Sequence, residues 1–436
     1  MATAETIFAP ASGQGTAGIA VIRISGTGAH GAVAALTDRP LPPPRQAALR
    51  RFVAADGALL DIGLLVVFAE GASFTGEAMA EIHAHGGRAV VRALLEALGA
   101  QPGLRLAEPG EFTLRAFEAG RIDMAEAEAL ADLLAAETEG QRRRAAAGLG
   151  GALHARAEAW RGELLEALAL IEVTIDWADE EVPEDVSPEV RRRLSDVGEA
   201  IARELATADR AERLRAGFEV AILGAPNAGK SSLLNALAGR EAALTSPVPG
   251  TTRDVIELRY DLDGLAVAFL DMAGLRETAD PVEAAGVARA RARAEAADLR
   301  LILTPADGAP APDAEALARP GDLRLWSKAD LAAPPADALA VSAETGAGIE
   351  TLLRAIADRL GAHAAEAGLV AHARQARALE SGLAAIRSAC EGLETRGPEE
   401  ISEEVRSALR ALERLIGRVG TEDVLGAVFA RFCLGK

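Results

Sequence analysis

A glycine-rich loop between a buried strand and an apolar helix constrains the fold of this chain more than any other feature. The run Phe218–Leu223 (FEVAIL) is typical of a buried strand, and Gly224–Ser231 (GAPNAGKS) follows it directly. This spacing is G-x-x-x-x-G-K-[ST], in which backbone N–H groups of the loop and the helix start wrap a β-phosphate. Lys230 would neutralise the β- and γ-phosphate oxygens, and Ser231 would supply a hydroxyl ligand to Mg²⁺. The loop therefore predicts a nucleoside triphosphate site in an α/β domain.

Two motifs that can sense a γ-phosphate follow the loop. Gly250–Asp254 (GTTRD) contains threonines that can ligate Mg²⁺ and order a switch loop. Asp271–Gly274 (DMAG) ends a later strand and has the form D-x-x-G, in which the aspartate holds a Mg²⁺-bound water and the glycine N–H meets the γ-phosphate. Alone, D-x-x-G is a weak signal, but in this order it predicts a triphosphate-dependent switch.

Two later motifs predict which base is bound. Ser327–Asp330 (SKAD) follows a strand, and the Asp330 carboxylate can accept a bidentate pair of hydrogen bonds that guanine offers and adenine does not. Ser342 and Ala343 precede a glycine turn, where the Ala343 N–H can meet guanine O6. The five motifs together predict a GTPase. The fourth motif usually begins with asparagine, so Ser327 predicts some loss of affinity, with guanine specificity kept by Asp330.

The residues expected to carry out hydrolysis depart from the usual GTPase pattern. Leu275 stands where Ras-like enzymes have the glutamine that orients the attacking water, so the water needs another partner. Glu283 is the candidate, acting through a bridging water, and a solvated glutamate at a helix start is the alternative reading. The side-chain oxygen of Asn227 could ligate a monovalent cation in the place of an arginine finger. This interpretation predicts faster hydrolysis in K⁺ than in Na⁺ at equal ionic strength.

Length and composition limit the remaining possibilities. At roughly 150 residues per domain, 436 residues predict about three domains. The net charge of −19 argues against coating of nucleic acid, although a local basic groove stays possible. No apolar run approaches the ~20 residues that a membrane span needs. With only two cysteines, Cys390 and Cys433, a disulfide framework is not expected, which favours a reducing cytoplasm.

The pattern along the chain predicts a multidomain α/β and α+β protein. The first ~118 residues read as α+β, with strands at Ile19–Ile24, Ile62–Phe68 and Met79–His85 and a helix after Gly86. From Arg121 to about residue 215, and again from about residue 363, apolar residues recur at helical spacing. Between them strands and helices alternate, as in a doubly wound α/β domain. The two helical halves either pack together, which is preferred, or the second half packs on the α/β domain.

Two cysteines and two histidines need their own interpretation. Cys433 is either a small buried hydrophobe or a thiolate that attacks or holds a one-carbon unit. Cys390 lies within a helical run and is interpreted as packing. His83 and His85 share one face of a strand with no carboxylate partner evident, which favours a structural or cofactor-lining role over zinc.

Motifs across the whole chain resemble the tRNA modification GTPase MnmE (TrmE) family. The matching segments are TIFAPA at Thr6–Ala11, IAVIRIS at Ile19–Ser25, SFTGE at Ser73–Glu77, HGG at His85–Gly87, PGEFTLR at Pro109–Arg115, NAGKSS, PGTTRD, DMAGLRE, SAETG and the C-terminal FCLGK at Phe432–Lys436. The FCLGK end combined with an embedded G domain is highly specific for the family.

The resemblance implies a fold and an activity. It implies an N-terminal tetrahydrofolate-binding and dimerisation domain (1–118), a split helical domain (119–216 and 363–436) and an inserted G domain (217–362). A homodimer would work in a heterotetramer with an FAD- and NADH-using MnmG (GidA) partner. Together they would add an aminomethyl or carboxymethylaminomethyl group to C5 of the wobble uridine of certain tRNAs. The carbon would come from a 5-formyl- or 5,10-methylene-tetrahydrofolate.

The resemblance also implies residue roles. Catalysis falls on Glu283 and Cys433. The folate contacts match Arg23, Glu81, Arg121 and Lys436, where Arg121 keeps only the charge of the usual lysine. Mg²⁺ falls on Ser231 and Thr252, and K⁺ on Asn227, Ser246, Val248 and Thr251. The nucleotide contacts are Asn227, Ala228, Gly229, Lys230, Ser231, Ser232, Ser246, Thr251, Thr252, Asp271, Gly274, Ser327, Lys328, Asp330, Ser342 and Ala343.

Several alternatives remain at this stage. From the residues alone, Arg23 and Glu81 could equally be members of a surface ion pair. Pro247 and Pro249 depart from the family's usual loop. A ribosome-assembly GTPase acting as a K⁺-dependent switch would share the leucine after D-x-x-G, but such proteins usually add a basic RNA-binding module. A folate-binding regulatory module with an incidental GTPase is the other alternative.

Overall fold

The structure is a computed structural model of the chain. It describes residues 5–13, 15–176, 186–240, 242–244, 257–271, 281–306, 308–309, 311–335, 338–364, 367–417, 429, 432 and 435, with the backbone alone at 176, 244, 281–287, 289 and 362–364. Two compact units are distinguished: residues 1–131 with 413–436, and residues 132–412.

The first unit is built on a six-stranded sheet. Its strands are β1 (Thr6–Pro10), β2 (Ala17–Ser25), β3 (Ala48–Val53), β4 (Leu59–Phe68), β5 (Met79–Gly86) and β6 (Leu104–Leu106). They are ordered β3-β4-β5-β2-β1-β6, and all pairs are antiparallel except the parallel pair of β1 and β6. Strands β1, β3 and β6 were not predicted; β6 has only three residues, and β3 carries two consecutive arginines, Arg50 and Arg51, that interrupt its apolar pattern.

Alternation along β2 decides which side chains face the core of this sheet. Ile22 and Ile24 are fully buried and pack in one apolar cluster with Leu94 and Leu98 of helix α2 (Arg88–Gly99). Because successive side chains of a strand point to opposite faces, Arg23 lies on the face away from this cluster. The other helices that begin in this part of the chain are α1 (Ala29–Ala35), α3 (Glu111–Glu118) and α4 (Met124–Ala135).

The second sheet has seven strands and lies in the second unit. Its strands are β7 (Phe218–Gly224), β8 (Ala243–Leu244), β9 (Glu257–Leu262), β10 (Leu265–Asp271), β11 (Leu299–Pro305), β12 (Leu323–Ser327) and β13 (Leu339–Val341). The order is β13-β12-β11-β7-β10-β9-β8, with β9 antiparallel to both of its neighbours and β7, β10, β11, β12 and β13 parallel. This confirms the predicted doubly wound α/β domain.

Separate apolar clusters cover the two faces of this sheet. Its helices are α9 (Lys230–Ala238), α10 (Pro281–Ala296), α11 (Pro312–Ala316) and α12 (Ile349–Ala364). Leu233 and Leu352 belong to the cluster on one face, and Ala294 and Leu317 to the cluster on the other. Burial on both faces explains why β7 is apolar at nearly every position, with Glu219 as the one charged residue of the strand.

The remaining helices settle the open question of the second helical half. They are α5 (Glu139–Leu149), α6 (Ala152–Asp176), α7 (Ser187–Ala206), α8 (Ala208–Ala216), α13 (Ala373–Gly392) and α14 (Pro398–Ile416). Helix α13 packs on α7, and α7 also packs on α6. A β-carbon on Gly198 would lie 3.2 Å from Cγ2 of Ile386, so glycine permits the close approach of α7 and α13. The preferred expectation, that the helical halves pack together, is confirmed.

A buried ion pair joins several elements of the α/β domain. The Asp322 carboxylate accepts hydrogen bonds from Arg300 N and Nε, at 3.0 and 2.8 Å, and from Arg319 N at 2.6 Å. The side chains of Arg300 and Asp322 are only 4% and 2% exposed. Nη1 of Arg300 also donates to three carbonyls near the C-terminus of α10, at Ala294, Glu295 and Ala297. The pair therefore fixes the end of α10 against β11 and the turn before β12.

We expect Asp322→Ala to lower the free energy of unfolding of the α/β domain by about 3–5 kcal/mol, because it leaves a buried guanidinium uncompensated. Glu350→Ala is the matched control, because Glu350 pairs with Arg354 on the surface of the same domain, on α12, and is 62% exposed. The control should cost about 1 kcal/mol or less. Urea unfolding followed by tryptophan fluorescence measures both, in a chain where Trp160 and Trp177 are replaced by phenylalanine so that only Trp326 reports. Equal costs would contradict a structural role for the buried pair.

Candidate functional site

Left-handed backbone shapes the loop that precedes α9. Asn227 has φ 64° and Gly229 has φ 91°, and a β-carbon on Gly224 would lie 2.8 Å from the Leu303 carbonyl oxygen. The loop thus turns sharply and packs against β11 before α9 begins at Lys230. Lys230 is buried, and its ammonium donates to the carbonyl oxygens of Gly224 and Ala225 at 2.9 and 3.0 Å. The cation is held within the loop that would take the phosphates.

The ends of two adjacent parallel strands place the predicted magnesium ligands together. Asp271 is the last residue of β10 and is paired in register with Ile222 of β7, two residues before the loop. The Ser231 hydroxyl at the start of α9 donates to Oδ2 of Asp271 at 2.8 Å. A hydroxyl and a carboxylate are hard oxygen donors of the kind that Mg²⁺ prefers. The two side chains fit a divalent cation beside the phosphate loop.

The fourth motif contacts the phosphate loop directly. Ser327 ends β12, is 4% exposed, and donates from its hydroxyl to the Ala228 carbonyl oxygen at 2.7 Å. Lys328 follows with φ 57°, which turns the chain toward Asp330. The hydroxyl therefore links the predicted base-binding motif to the phosphate loop.

The fifth motif orders the predicted base-binding carboxylate. Ser342 is buried, and its hydroxyl donates to Oδ1 of Asp330 at 2.5 Å. The same hydroxyl oxygen accepts from Thr345 N at 3.2 Å. A β-carbon on Gly348 would lie 1.9 Å from the Ala340 carbonyl oxygen, so this turn requires glycine. Asp330 is held in place, with its carboxylate at the exposed end of the sheet.

On the first sheet, Arg23 and Glu81 form a direct pair. They occupy opposed positions on β2 and β5. Nε and Nη2 of Arg23 donate to Oε1 of Glu81 at 3.0 and 2.9 Å, and both side chains are more than four-fifths buried. The guanidinium carbon also lies 5.7 Å from the ring centroid of Phe74 and 5.8 Å from that of Phe112. The alternative of a surface ion pair is correct in that the two residues do pair. It is wrong about the surface, because the pair is largely covered and is flanked by aromatic rings.

Arg121 lies beside the loop that follows β4. A β-carbon on Gly76 would be 3.7 Å from both Cγ and Cδ of Arg121, and the Arg121 side chain is exposed. Phe74 belongs to the same loop and contacts Arg23. One loop therefore borders two of the predicted folate contacts.

Charged residues of the SFTGE and PGEFTLR segments form a network behind this loop. Nη1 of Arg115 donates to both oxygens of Glu77 at 3.1 Å, and Nη2 donates to Oε1 of Glu111 at 3.0 Å. Glu77 in turn accepts from the Ser25 hydroxyl at 2.7 Å. Sequence reasoning assigned no role to these residues, because the i, i+4 spacing of Glu111 and Arg115 was the only local signal. They position the loop that carries Phe74 and Gly76.

Both histidines of β5 have carboxylate partners, which corrects the expectation that none was evident. Nδ1 of His85 lies 2.8 Å from Oδ1 of Asp61, and Nε2 of His83 lies 3.4 Å from Oε2 of Glu81. Burial raises the pKa of Asp61, but hydrogen bonds from the backbone and side chain of His85 outweigh it and lower the pKa overall. Asp61 lies on β4, which pairs with β5 in space, so sequence spacing could not reveal it, whereas Glu81 lies on β5 itself, two residues before His83.

The C-terminal segment contacts the first unit at its three described residues. A β-carbon on Gly435 would lie 2.0 Å from the Pro10 carbonyl oxygen, so the backbone at Gly435 lies directly against the end of β1. Phe429 and Phe432 stack with centroids 6.1 Å apart and are buried with Met124. Because β1 is paired with β2, residue 435 lies one strand away from Arg23.

Several predicted residues lie outside the described part of the chain. They are Ser246, Val248, Thr251, Thr252, Gly274, Cys433 and Lys436. Glu283 falls in the first turn of α10, where the backbone alone is described. The thiol of Cys390 is half-buried between α7 and α13, and burial raises its pKa despite a hydrogen bond with Ser195. Within the described helices, none combines the length and hydropathy needed to cross a bilayer.

The strand, phosphate loop, serine–aspartate pair and ordered Asp330 define the class of the second sheet as a P-loop nucleotide-binding α/β domain. Sequence models of two known families match the chain. "GTP-binding protein TrmE N-terminus" matches residues 6–121, before this domain, and "MnmE helical domain" matches residues 124–433, a range that includes it. The chain belongs to the MnmE family.

Individual proteins agree with this assignment. The chain is 52% identical over 436 residues to the tRNA modification GTPase MnmE of Cereibacter sphaeroides, covering 99% of this chain and all of that protein. It is 50% identical over 433 residues to the protein of the same name from Dinoroseobacter shibae, again over 99% of this chain and all of the relative. The G domain of the T. maritima FeoB iron transporter superposes with a TM-score of 0.26 at 23% identity, over 33% of this chain and 98% of that one. That score is too low to support an argument about activity.

We expect Ser327→Ala to weaken GDP binding by roughly three- to tenfold, because a buried hydrogen bond to the phosphate loop is worth about 1 kcal/mol and its loss leaves the Ala228 carbonyl unsatisfied. Titration with a fluorescent GDP analogue measures the change. Ser407→Ala, in α14, where the hydroxyl accepts a hydrogen bond from Arg410 on the surface, is the control and should bind like the parent chain. Unchanged affinity in Ser327→Ala would contradict the proposed link.

A pH prediction concerns Glu111. Burial raises its pKa, but hydrogen bonds from Arg105, the Glu108 backbone and Arg115 outweigh it and bring the pKa to about 2, from an ordinary 4.5. A carboxyl whose pKa is lowered on folding stabilises the fold above its unfolded pKa, and this stabilisation is lost as the pH falls through the folded pKa. We expect Glu111→Gln to cost roughly 2 kcal/mol at pH 7, and the cost should shrink as the pH falls from about 4.5 toward 2.

Hydrogen exchange of peptides from β6 and α3 in increasing urea, at several pH values, measures this cost. Glu118→Gln is the control, because Glu118 is exposed at the end of the same helix. A cost for Glu111→Gln that did not change with pH would contradict the assignment.

Proposed function

We propose that this protein is a GTP-hydrolysing enzyme that takes part in modification of the wobble uridine of certain tRNAs. Membership of the MnmE family and the order of the five nucleotide motifs support the proposal. The observation that carries it is the contact of Ser231 with Asp271 beside a loop that holds the Lys230 ammonium. We propose that it works in the cytoplasm, as a homodimer in a heterotetramer with an FAD-containing MnmG-type partner.

The proposed domains follow the expected boundaries. Residues 1–118 would bind folate and dimerise, 217–362 would be the G domain, and 119–216 with 363–436 would form the split helical domain. The burial of Phe429 with Met124 agrees with a return of the C-terminal segment to the start of the helical region.

The proposed nucleotide site divides into a phosphate part and a base part. Asn227 to Ser232, with Thr251, Thr252 and Gly274, would bind the phosphates, and Lys230 would offset their negative charge. Mg²⁺, held by Ser231 and Thr252 with Asp271 nearby, would neutralise charge on the β- and γ-phosphate oxygens. Asp330 would select guanine by accepting from N1–H and N2–H₂, with Ser327, Lys328, Ser342 and Ala343 supporting it.

The proposed hydrolysis uses Glu283 to orient water, because Leu275 cannot. K⁺, held by Asn227, Ser246, Val248 and Thr251, would offset the charge that develops in the transition state. The exposed Asn227 side chain and its left-handed backbone, at φ 64°, fit a cation ligand at the edge of the phosphate loop.

The proposed folate site centres on Arg23 and Glu81. A carboxylate can pair with the amino-pyrimidine edge of a pterin, and a guanidinium can hold a carboxylate. The partly exposed ring of Phe74 beside Arg23, and Arg121 beside the same loop, fit a flat and anionic ligand, while the buried ring of Phe112 supports Arg23 from within. Lys436 would add a cation, and Cys433 would act on the one-carbon unit of a 5-formyl- or 5,10-methylene-tetrahydrofolate.

Nucleoside mass spectrometry of bulk tRNA tests the function. Cells that lack this protein should lose the 5-aminomethyl-type wobble uridines, and the parent gene should restore them. Genes carrying Asp330→Asn, Glu81→Gln or Cys433→Ser should each restore less than nine-tenths of the parent level of these uridines, because each change removes a proposed contact or nucleophile. Unchanged wobble uridines in the deletion would contradict the proposed role, and full restoration by Cys433→Ser would end its catalytic assignment.

Salt dependence tests the monovalent cation. We expect GTP hydrolysis to be at least tenfold faster in K⁺ than in Na⁺ at equal ionic strength, because Na⁺ is too small for the same ligand set. Asn227→Ala should remove this preference while GDP still binds. Equal rates of the parent protein in the two salts would eliminate the K⁺ site and leave the GTPase assignment intact.

A further inference from the structure

The first turn of α5 touches the α/β domain at the turn between β9 and β10. Asp263 and Gly264 form this turn with φ values of 52° and 86°, as in a two-residue hairpin of the mirror-image type. The Gly140 N–H of α5 donates to the Gly264 carbonyl oxygen at 3.2 Å. A β-carbon on Gly140 would lie 2.5 Å from the same oxygen. Because that oxygen belongs to the backbone, no rotation of a side chain could relieve the overlap.

The next residue holds the place where the chain enters the α/β domain. Gln141 completes a capping box with Thr138, in which the side-chain Oε1 of Gln141 accepts from Thr138 N at 3.2 Å. The side-chain Nε2 of Gln141 donates to the Arg215 carbonyl oxygen at 2.9 Å, two residues before Gly217 and just ahead of β7. One side chain thus fixes both the start of α5 and the entry point.

Arg144 holds the place where the chain leaves the α/β domain. Its Nη1 and Nη2 donate to the carbonyl oxygens of Gly368 and Leu369 at 2.7 and 3.1 Å. These residues lie between α12 and α13. Gly140, Gln141 and Arg144 lie within two turns of one helix, so a single rigid element contacts the hairpin, the entry and the exit.

Strand β10 connects this helix with the nucleotide site. It runs without interruption from Leu265, next to Gly264, to Asp271, whose carboxylate accepts from Ser231. Its central position between β7 and β9 makes it stiff, because both edges carry ladder hydrogen bonds. A shift at Asp271 would therefore reach Gly264 and the N-terminus of α5.

We propose that Gly140, Gln141 and Arg144 form one coupling element, through which movement of β10 at the nucleotide site is passed to the helical domain. The inference rests on the proposed GTPase function. Gly140 and Gln141 are positioning residues that act through the β9–β10 turn and through the entry to β7. Neither makes a hydrogen bond to a described residue of the predicted nucleotide site.

The experiment uses the full chain and two variants that weaken the element in different ways. Gly140→Ala forces the backbone overlap with Gly264. Gln141→Glu keeps the oxygen that the capping box needs and removes the donor to Arg215. Gly162→Ala is the matched control, because Gly162 is also helical, in α6, and a β-carbon there meets nothing within 4 Å.

Amide hydrogen exchange of peptides covering 137–149 and 262–266 is measured with GDP and with a non-hydrolysable GTP analogue. In the parent and in Gly162→Ala, we expect exchange of these peptides to differ at least threefold between the two nucleotides. In Gly140→Ala and Gln141→Glu the difference in α5 should fall below 1.5-fold, while GDP affinity stays within twofold of the parent. Wobble-uridine modification should fall at least tenfold in both, with kcat for GTP within threefold.

The failures can be told apart. A parent chain that binds and hydrolyses GTP, but whose α5 exchange is the same with both nucleotides, overturns the coupling element and leaves the proposed function standing. Variants that keep the parent's difference overturn it as well. A parent chain that binds no guanine nucleotide overturns both proposals. If Gly140→Ala does not fold, Gln141→Glu alone decides between these outcomes.

Discussion

The parallel register of β7, β10, β11 and β12 is the constraint on which the candidate nucleotide site depends. Parallel strands end at one edge of the sheet, so the phosphate loop, Asp271 and Ser327 meet there although they are far apart in the chain. The contacts of Ser231 with Asp271 and of Ser327 with Ala228 are consequences of this register. The buried pair of Arg300 and Asp322 fixes α10 at the opposite edge of the same sheet, where β11 begins.

The first sheet covers charged side chains, and these side chains are paired with each other. Arg23 and Glu81 are more than four-fifths buried, and each is the other's partner across two antiparallel strands. Burial of a charge is costly unless it is paired and hydrogen-bonded. Behind them, Arg115 shares its donors between Glu77 and Glu111, which holds the loop with Phe74 and Gly76 in place. A ligand at this loop would compete with an existing ion pair, and the proposed folate site would therefore be sensitive to the geometry of that pair.

The phosphate loop and helix α5 differ in whether their contacts are local or reach other parts of the fold. The phosphate loop is bordered by positive-φ residues and by glycines that approach other backbone closely, so its shape is determined locally. Helix α5 has no nucleotide-binding residue, yet it touches the hairpin, the entry and the exit of the α/β domain. A helix with these three contacts can transmit a displacement only because β10 is continuous from the turn to Asp271.

The sequence by itself determined the features that are encoded within a few consecutive residues. The phosphate loop, the doubly wound pattern and the family resemblance all follow from short motifs and from periodicity, because local geometry requires particular residue types at fixed spacing. Only the tertiary structure decided the partners that are distant in the chain. It paired His85 with Asp61, gave Ser327 a role through the Ala228 carbonyl, and brought Gly435 against Pro10. These contacts depend on strand register and on close backbone approach, and neither can be predicted from the spacing of the residues along the chain.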